Sequence, residues 1–226
     1  MAAWKNALHK SHDIFSLKRD AIIREAGRIF SKQGFHNCSL DEVAELLDVS
    51  KGTLYNYVKD KQEILFECHK IAIGIAEKAF GAADAGDSGA KQLETILTTY
   101  ATLINDELAC GIISETGSLR EDDRRVVKAQ RRKLNQRLVT IVRKGIRDGS
   151  LRAVDPEIAV QAFVGAIHAI PSWYSPNGRL TGADIAREIV GVLMNGLLAD
   201  RPVKLAQTVA PKPSTAAPPR KRQVRA

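Results

Sequence analysis

SLDEVAELLDVSKGTLYNYVKDK, residues 39–61, decides the fold. It reads as two short helices joined by a tight turn. Ser39-Leu-Asp-Glu42 has the form of a capping box, in which Ser39 and Glu42 satisfy each other's backbone donors at a helix start. Val43, Ala44, Leu46 and Leu47 then supply an inward face at helical spacing. Ser50 is placed to cap a second helix from Lys51 to Tyr57. Within that helix only Leu54 has an obvious reason to be buried. Lys51, Thr53, Tyr55, Asn56 and Tyr57 are left for the outer faces, and Gly52 lets a neighbouring backbone come close. A helix so short and polar has little use as core. Its small, hydroxyl and aromatic groups suit the major groove of DNA.

The segment before it agrees. Residues 16–34 place Ile22, Ile23, Ala26, Ile29 and Phe30 on one side of a helix, with Lys18, Arg19, Arg24, Arg28 and Lys32 outside. Gly34 is a natural helix stop, and Phe35 is expected to fold back onto the core.

Over residues 16–66 the chain resembles the tetracycline-repressor (TetR) family of transcription factors. The matching elements are Ser39, Glu42-Val43-Ala44, Ser50-Lys51-Gly52-Thr53-Leu54-Tyr55, Tyr57 and Lys61, with Val58 where the family usually has Phe. The resemblance implies an all-α protein: a three-helix head with a helix-turn-helix, then a helical bundle for effector binding and dimerisation. It implies double-stranded DNA as partner, with Lys51, Gly52 and Thr53 nearest the bases and Asn56 in a variable slot. Tyr55 and Tyr57 look like phosphate contacts, although either is also read as a half-buried core aromatic. Ser39, Ser50 and Lys61 sit at helix starts that would grip the DNA backbone.

Composition bounds the rest. An apolar share of 44% is ample for a core, and an aromatic share of only 5% with many Ala, Leu and Ile suits helices. No run alternates as a strand would, and no apolar stretch reaches a membrane span. No secretory leader is read at the N-terminus, so a cytoplasmic protein is expected. Cys38, Cys68 and Cys110 are odd in number and far apart, which fits free thiols. The five His show no metal-ligand spacing, and there is no nucleophile elbow or phosphate loop. Neither a metal, a cofactor nor an enzyme is expected.

The formal charge of +8 has to be located before it is used. Residues 201–226 hold seven basic residues and no acid; removing these from the total of 34 leaves 27 against 26 acids. The body is nearly neutral, so affinity for DNA must come from placed charges and helix starts. The tail itself, rich in Pro, Ala and Lys/Arg, reads as disordered.

Four divisions follow: an N-terminal arm 1–15, the head 16–60, an effector and dimer domain 61–200, and the basic tail 201–226. Helices are expected over about 61–80, 91–108, 120–147, 156–170 and 182–198, with GAADAGDSGA (81–90) as a linker and residues 110–117 as a short helix or turn. On the helix over 120–147 the apolar face is Val126, Val127, Leu134, Leu138, Ile141, Val142 and Ile146. The last two helices suit a homodimer, with Val160, Phe163, Val164 and Ile167 on one and Ile185, Ile189, Val192 and Leu193 on the other. Plain intrachain core is the competing reading for some of them. Two-fold symmetry would make the operator palindromic. Candidate ligand contacts are Tyr100, Ile104, Leu108, Ile113, Phe163, His168 and Trp173, each of which also reads as ordinary core.

A second resemblance concerns Arg147-Asp-Gly-Ser-Leu-Arg152 and residues 165–181. It is similar to the C-terminal signature of the branch that regulates fatty-acid and steroid breakdown, with His168, Ala169 and Pro171 where an Asn is expected before the Trp-Tyr pair. That branch implies an acyl-CoA effector, whose phosphates Arg131, Arg132 and Arg179 would meet. A helical acyl-CoA-binding module without specific DNA binding is the alternative.

Overall fold

The computed structural model describes residues 3–107, 111–175 and 178–197, with side chains from residue 14 onward. Leu108, Cys110 and the basic tail lie outside the described residues. The chain is helical throughout, with no β-strand among the described residues. Helix α1 (Ala3–Gln33) is followed by α2 (Leu40–Leu46) and α3 (Lys51–Tyr57), which complete the head. The body is α4 (Lys61–Gly81), α5 (Gly89–Asp106), α6 (Glu121–Arg147), α7 (Pro156–Ala169) and α8 (Gly182–Asn195). A 3-10 turn, Ile170–Ser172, continues α7.

Local chemistry explains the boundaries. Ser39 accepts from the Glu42 amide while Glu42 accepts from the Ser39 amide, the reciprocal box expected at α2. Ser50, Asp60 and Ser88 each cap α3, α4 and α5 by accepting from the amide three residues on, and Thr181 forms a second reciprocal box with Asp184 at α8. Asp155 accepts from the Glu157 and Ile158 amides and Pro156 opens α7. Gly34 (φ +88°) and Gly149 (φ +74°) adopt the left-handed conformation that lets the chain leave α1 and α6.

Helix α1 starts at Ala3, earlier than the residue 16 that periodicity marks. Residues 3–33 contain no proline and no cluster of turn residues, so nothing in them stops a helix. Two apolar positions also face the wrong way. Leu46 is 57% exposed because Leu40, Val43 and Ala44 already fill the inner face of α2. Val126 is 45% exposed while its neighbour Val127 is fully buried.

Two cores result. The head core joins Ile23, Phe30, Val43, Leu54, Val58 and Leu65, and it also takes in Ile112, Leu119 and Val127 from the body. Phe35 folds back edge-on against Phe30, with ring centroids 5.5 Å apart. The body core runs through α4 to α8. Val160, Phe163, Ile167 and Ile185 are buried in it, so these four proposed dimer positions are corrected to intrachain core. α7 lays one apolar side on α6 and α8 lays one on α5, and periodicity alone does not say which side that is.

Asp148-Gly149-Ser150 has a second task besides ending α6. Asp148 accepts from the Gly89 amide at 2.8 Å and Ser150 Oγ accepts from the Ala90 amide at 3.0 Å. These bonds fasten the first turn of α5 to the end of α6. Donation by the Ser150 hydroxyl and by the Gly89 amide holds the Asp148 carboxyl below its usual range. Gly89 and Gly145 meet here backbone to backbone, leaving no room for a side chain at Gly89.

Candidate DNA-binding face and effector cavity

Helix α3 buries Leu54 alone and exposes Lys51, Gly52, Thr53, Tyr55 and Asn56. An added Cβ on Gly52 would meet only Ser50 Oγ, at 3.9 Å, so the closeness that Gly52 permits is to something outside the chain. Ser50 Oγ accepts from the Thr53 amide at 3.0 Å and lies 2.8 Å from Thr53 Oγ1. The first turn of α3 is thus fixed from within. Tyr55 is half exposed. Tyr57 is the half-buried aromatic of the pair: it stacks on Phe15 with centroids 4.8 Å apart, and its carbonyl accepts from Arg19.

Two of the expected DNA cations have internal partners. Lys51 Nζ donates to Asp41 Oδ2 at 2.6 Å. Lys61 Nζ donates to the Phe35 carbonyl and lies over the Phe35 ring, 4.6 Å from its centroid. The Lys51 ammonium is therefore engaged with Asp41 on the outer side of the head, whereas Lys61 fastens α4 to it.

The second site is a cavity of about 60 Å³ lined by α4, α5, α6, α7 and Ile113. Most of its wall is apolar, including Ala76, Phe80, Leu97 and Leu138, with a polar corner formed by Tyr100, Arg131, Asn135 and His168. Tyr100, Ile113 and His168 line this cavity. Ile104 is buried but faces a separate cleft between α1 and the body. Phe163 is buried core and Trp173 is 55% exposed; neither lines the cavity, a correction with the same origin as at the dimer helices. Leu108 falls outside the described residues.

The polar corner has a definite proton arrangement. Arg131 Nη2 donates to the Ile113 carbonyl at 2.8 Å and lies 2.9 Å from His69 Nδ1. Guanidinium only donates, so Nδ1 accepts; Nε2 then carries the proton and donates to the Glu115 carbonyl at 3.2 Å. His168 Nε2 lies 2.7 Å from Tyr100 Oη. Burial first, and the Arg131 charge second, push both His69 and His168 down to about 4, so both are neutral at physiological pH. Burial likewise pushes the Cys68 thiol up to about 12, which makes it an inert core residue.

Residues 111–120 run between the two sites as a strap. Ile113 and Glu115 hold the cavity side through the carbonyls just described. On the head side Ser118 Oγ lies 3.0 Å from His36 Nε2, the Ser118 carbonyl accepts from Gln62 at 3.1 Å, and Arg120 pairs with Asp60, the cap of α4. His69 and the α4 wall of the cavity (Ala72, Ile73, Ala76) escaped sequence reasoning. In sequence they are an ordinary buried stripe, and only His69 carries a polar signal.

A head that exposes a polar helix, tied by a strap to a largely apolar cavity, defines a ligand-responsive helix-turn-helix DNA-binding regulator. Comparison with known proteins gives the family. Residues 22–68 match the profile of "Bacterial regulatory proteins, tetR family", and residues 86–197 match "Tetracyclin repressor-like, C-terminal domain". The chain belongs to the TetR family of transcriptional regulators. It is 22% identical over 188 residues to the HTH-type transcriptional repressor KstR2 of Rhodococcus jostii, covering 80% of this chain and 91% of that one. Among solved structures, the TetR family regulator PfmR from Thermus thermophilus is similar at 25% identity and a TM-score of 0.66, over 77% of this chain and 97% of that one. AibR, solved with isovaleryl coenzyme A and operator DNA, shares the fold at 24% identity and a TM-score of 0.67, over 78% and 97%.

Proposed function

We propose that the protein binds a palindromic operator as a homodimer and is released from it when an acyl-CoA-type effector enters the cavity. The observation that carries the DNA part is α3, a capped helix with Leu54 inside and Lys51 to Asn56 outside. Lys51, Gly52 and Thr53 face the base edges, Asn56 contributes to operator choice, and Ser39, Ser50 and Tyr55 position the head on phosphates. Tyr57 and Lys61 are structural supports that reach DNA only at the rim.

Dimerisation falls to the outer sides of α7 and α8. There Ile158 is 69% and Val192 71% exposed, and Gly165 and Gly191 have nothing within 4 Å of an added Cβ. Ile189 and Leu193 are half-buried, while Val164 turns inward and lines the cavity. A symmetric pairing would set two heads about 34–36 Å apart, or a multiple of that, for successive major grooves.

The effector reading rests on the cavity and on the relatives: a fold shared with AibR, whose complex holds an acyl-CoA, and a likeness to KstR2. At about 60 Å³ the cavity is far below the roughly 300 Å³ or more of a formed ligand site. An acyl group must widen it. Widening moves α4 or the strap, and both lead to the head, which gives ligand and DNA opposite conformational preferences. A sequestering module with an idle head would need neither an exposed α3 nor this strap.

The test is fluorescence anisotropy on DNA from upstream of the gene, against scrambled competitor at fixed salt, with the Lys51→Ala/Tyr55→Ala double variant beside the native chain. Specific binding that the variant loses and acyl-CoA reverses supports the reading. Equal affinity for scrambled DNA rejects it.

A further inference from the structure

A cleft of about 300 Å³ opens where the head meets the body, between α1, the end of α5 and the 3-10 turn after α7. Among the described residues it shares no lining side chain with the apolar cavity. Unlike that cavity it already has the volume of a small formed ligand site, a class that starts at roughly 300 Å³. Gly111 of the strap meets Ser31 of α1 here with no room for a side chain, so head and body touch along the cleft.

Asn105 singles this cleft out. The residue lines it and is only 4% exposed. Its amide nitrogen donates to the Gly182 carbonyl at 3.5 Å, which fixes the orientation of the amide, because an oxygen in that place would face another acceptor. Oδ1 is buried and has no hydrogen-bond partner. A buried acceptor left without a donor is costly, and folded chains carry few of them. Oδ1 therefore suits a donor from outside the chain. The charges on the cleft are unequal in the same way. Glu107 is paired with Arg24 and Arg28 with Glu25, whereas Lys32 has no acid partner among the described residues. Ile104 and Pro171 add a short apolar wall. A buried acceptor, an unpaired ammonium and a small apolar surface describe a small carboxylate that also carries an O–H or N–H donor.

We propose that this cleft is a second binding site, separate from the effector cavity, for a small hydroxy or amino acid. The hydroxyl or ammonium of the ligand donates to Asn105 Oδ1, and its carboxylate accepts from Lys32 Nζ. Lys32 belongs to the head and Asn105 to the body, so the bound acid bridges the two units. The site stands or falls independently of the acyl-CoA reading above. Two sources share the chemistry, a 2-hydroxy acid and a 2-amino acid.

The experiment is calorimetric titration of the full chain, without DNA, using compounds of one carbon skeleton: 2-hydroxybutyrate, 2-aminobutyrate, butyrate and butan-2-ol. The same compounds are titrated into Asn105→Leu, which keeps the side-chain volume and removes the acceptor, and into Lys32→Gln, whose change is exposed. The hydroxy or the amino acid should bind the native chain at least about tenfold more tightly than butyrate and butan-2-ol, which each lack one of the two groups. Lys32→Gln should weaken that ligand by about tenfold, as loss of a charge-assisted bond does. Asn105→Leu should bring its affinity down to that of butyrate, with the melting temperature level or raised, an outcome that a merely structural Asn105 would not give. Which of the two acids binds more tightly identifies the donor. No binding of either acid to the native chain overturns the proposal, as does butyrate binding equally well. Undiminished binding by either variant overturns it too, and Lys32→Gln decides the matter should Asn105→Leu fail to fold.

Discussion

Replacing Gly89 by alanine tests how tightly α5 is set against α6. A Cβ there would lie 2.1 Å from the Gly145 nitrogen, 2.3 Å from its Cα and 2.9 Å from the Ile141 carbonyl. All three are backbone atoms, so no side chain can swing away. Restoring ordinary contact at 3.4 Å requires the helices to part by about 1.3 Å at this point. That movement also stretches the bonds from Asp148 and Ser150 to the Gly89 and Ala90 amides. Overpacking of this kind costs about 3 kcal/mol at the upper end of its usual range. The gain from replacing a helical glycine is at most about 1 kcal/mol, leaving a net loss of about 2 kcal/mol. For a chain of this length the melting temperature should fall by roughly 4–8 °C. Circular dichroism at 222 nm gives the transition, and anisotropy at 20 °C checks that the head still binds DNA. An unchanged melting temperature would refute the backbone contact, and with it the fastening of α5 by residues 148–150.

Asp41→Asn removes the internal partner of Lys51, so DNA affinity should rise a few-fold in anisotropy titrations; a fall would mean that the ion pair shapes α3 for binding instead of competing with it. Leu54→Ala empties the one anchor of α3, a loss of roughly 2–5 kcal/mol, and should abolish operator binding while calorimetry still detects effector. His69 and His168 have folded values near 4 against an ordinary value near 6.5. The unfolded chain therefore takes up more protons between these values, and stability is complete above about 6.5 and lost as pH falls towards 4. Thermal melts at pH 7.5, 6 and 4.5 should show that loss, and His168→Gln should flatten it; a slope identical to the native one would remove His168 from the account.

The head was legible because its information is local. Ser39, Glu42, Ser50 and Leu54 act on amides or neighbours within a few residues, so spacing alone predicts what they do. The cavity was half legible. Tyr100 and His168 stood out as polar groups on apolar helices, whereas Ala72 and Ala76 look like any small residues in a buried stripe. α7 and α8 misled for a different reason. Each carries apolar side chains round much of its circumference, so Val160 and Ile158 look equivalent until the body core claims one and leaves the other at 69% exposure. Long α6 kept its secret in its acids: only the position of Glu77, on another helix, separates a satisfied Arg137 from an unsatisfied Arg132.

The strap at 111–120 makes reading and sensing separable traits. It contributes nothing to the outer face of α3, and of its residues only Ile113 touches the cavity. Under the coupling proposed above, a change at Glu115 to Arg120 should leave both recognition surfaces whole and cut the message between them. Such a molecule would hold operator and effector at once, deaf to the compound it still binds. Selection for cells that stay silent in the presence of the effector should therefore enrich alleles in this short stretch, which neither ligand touches.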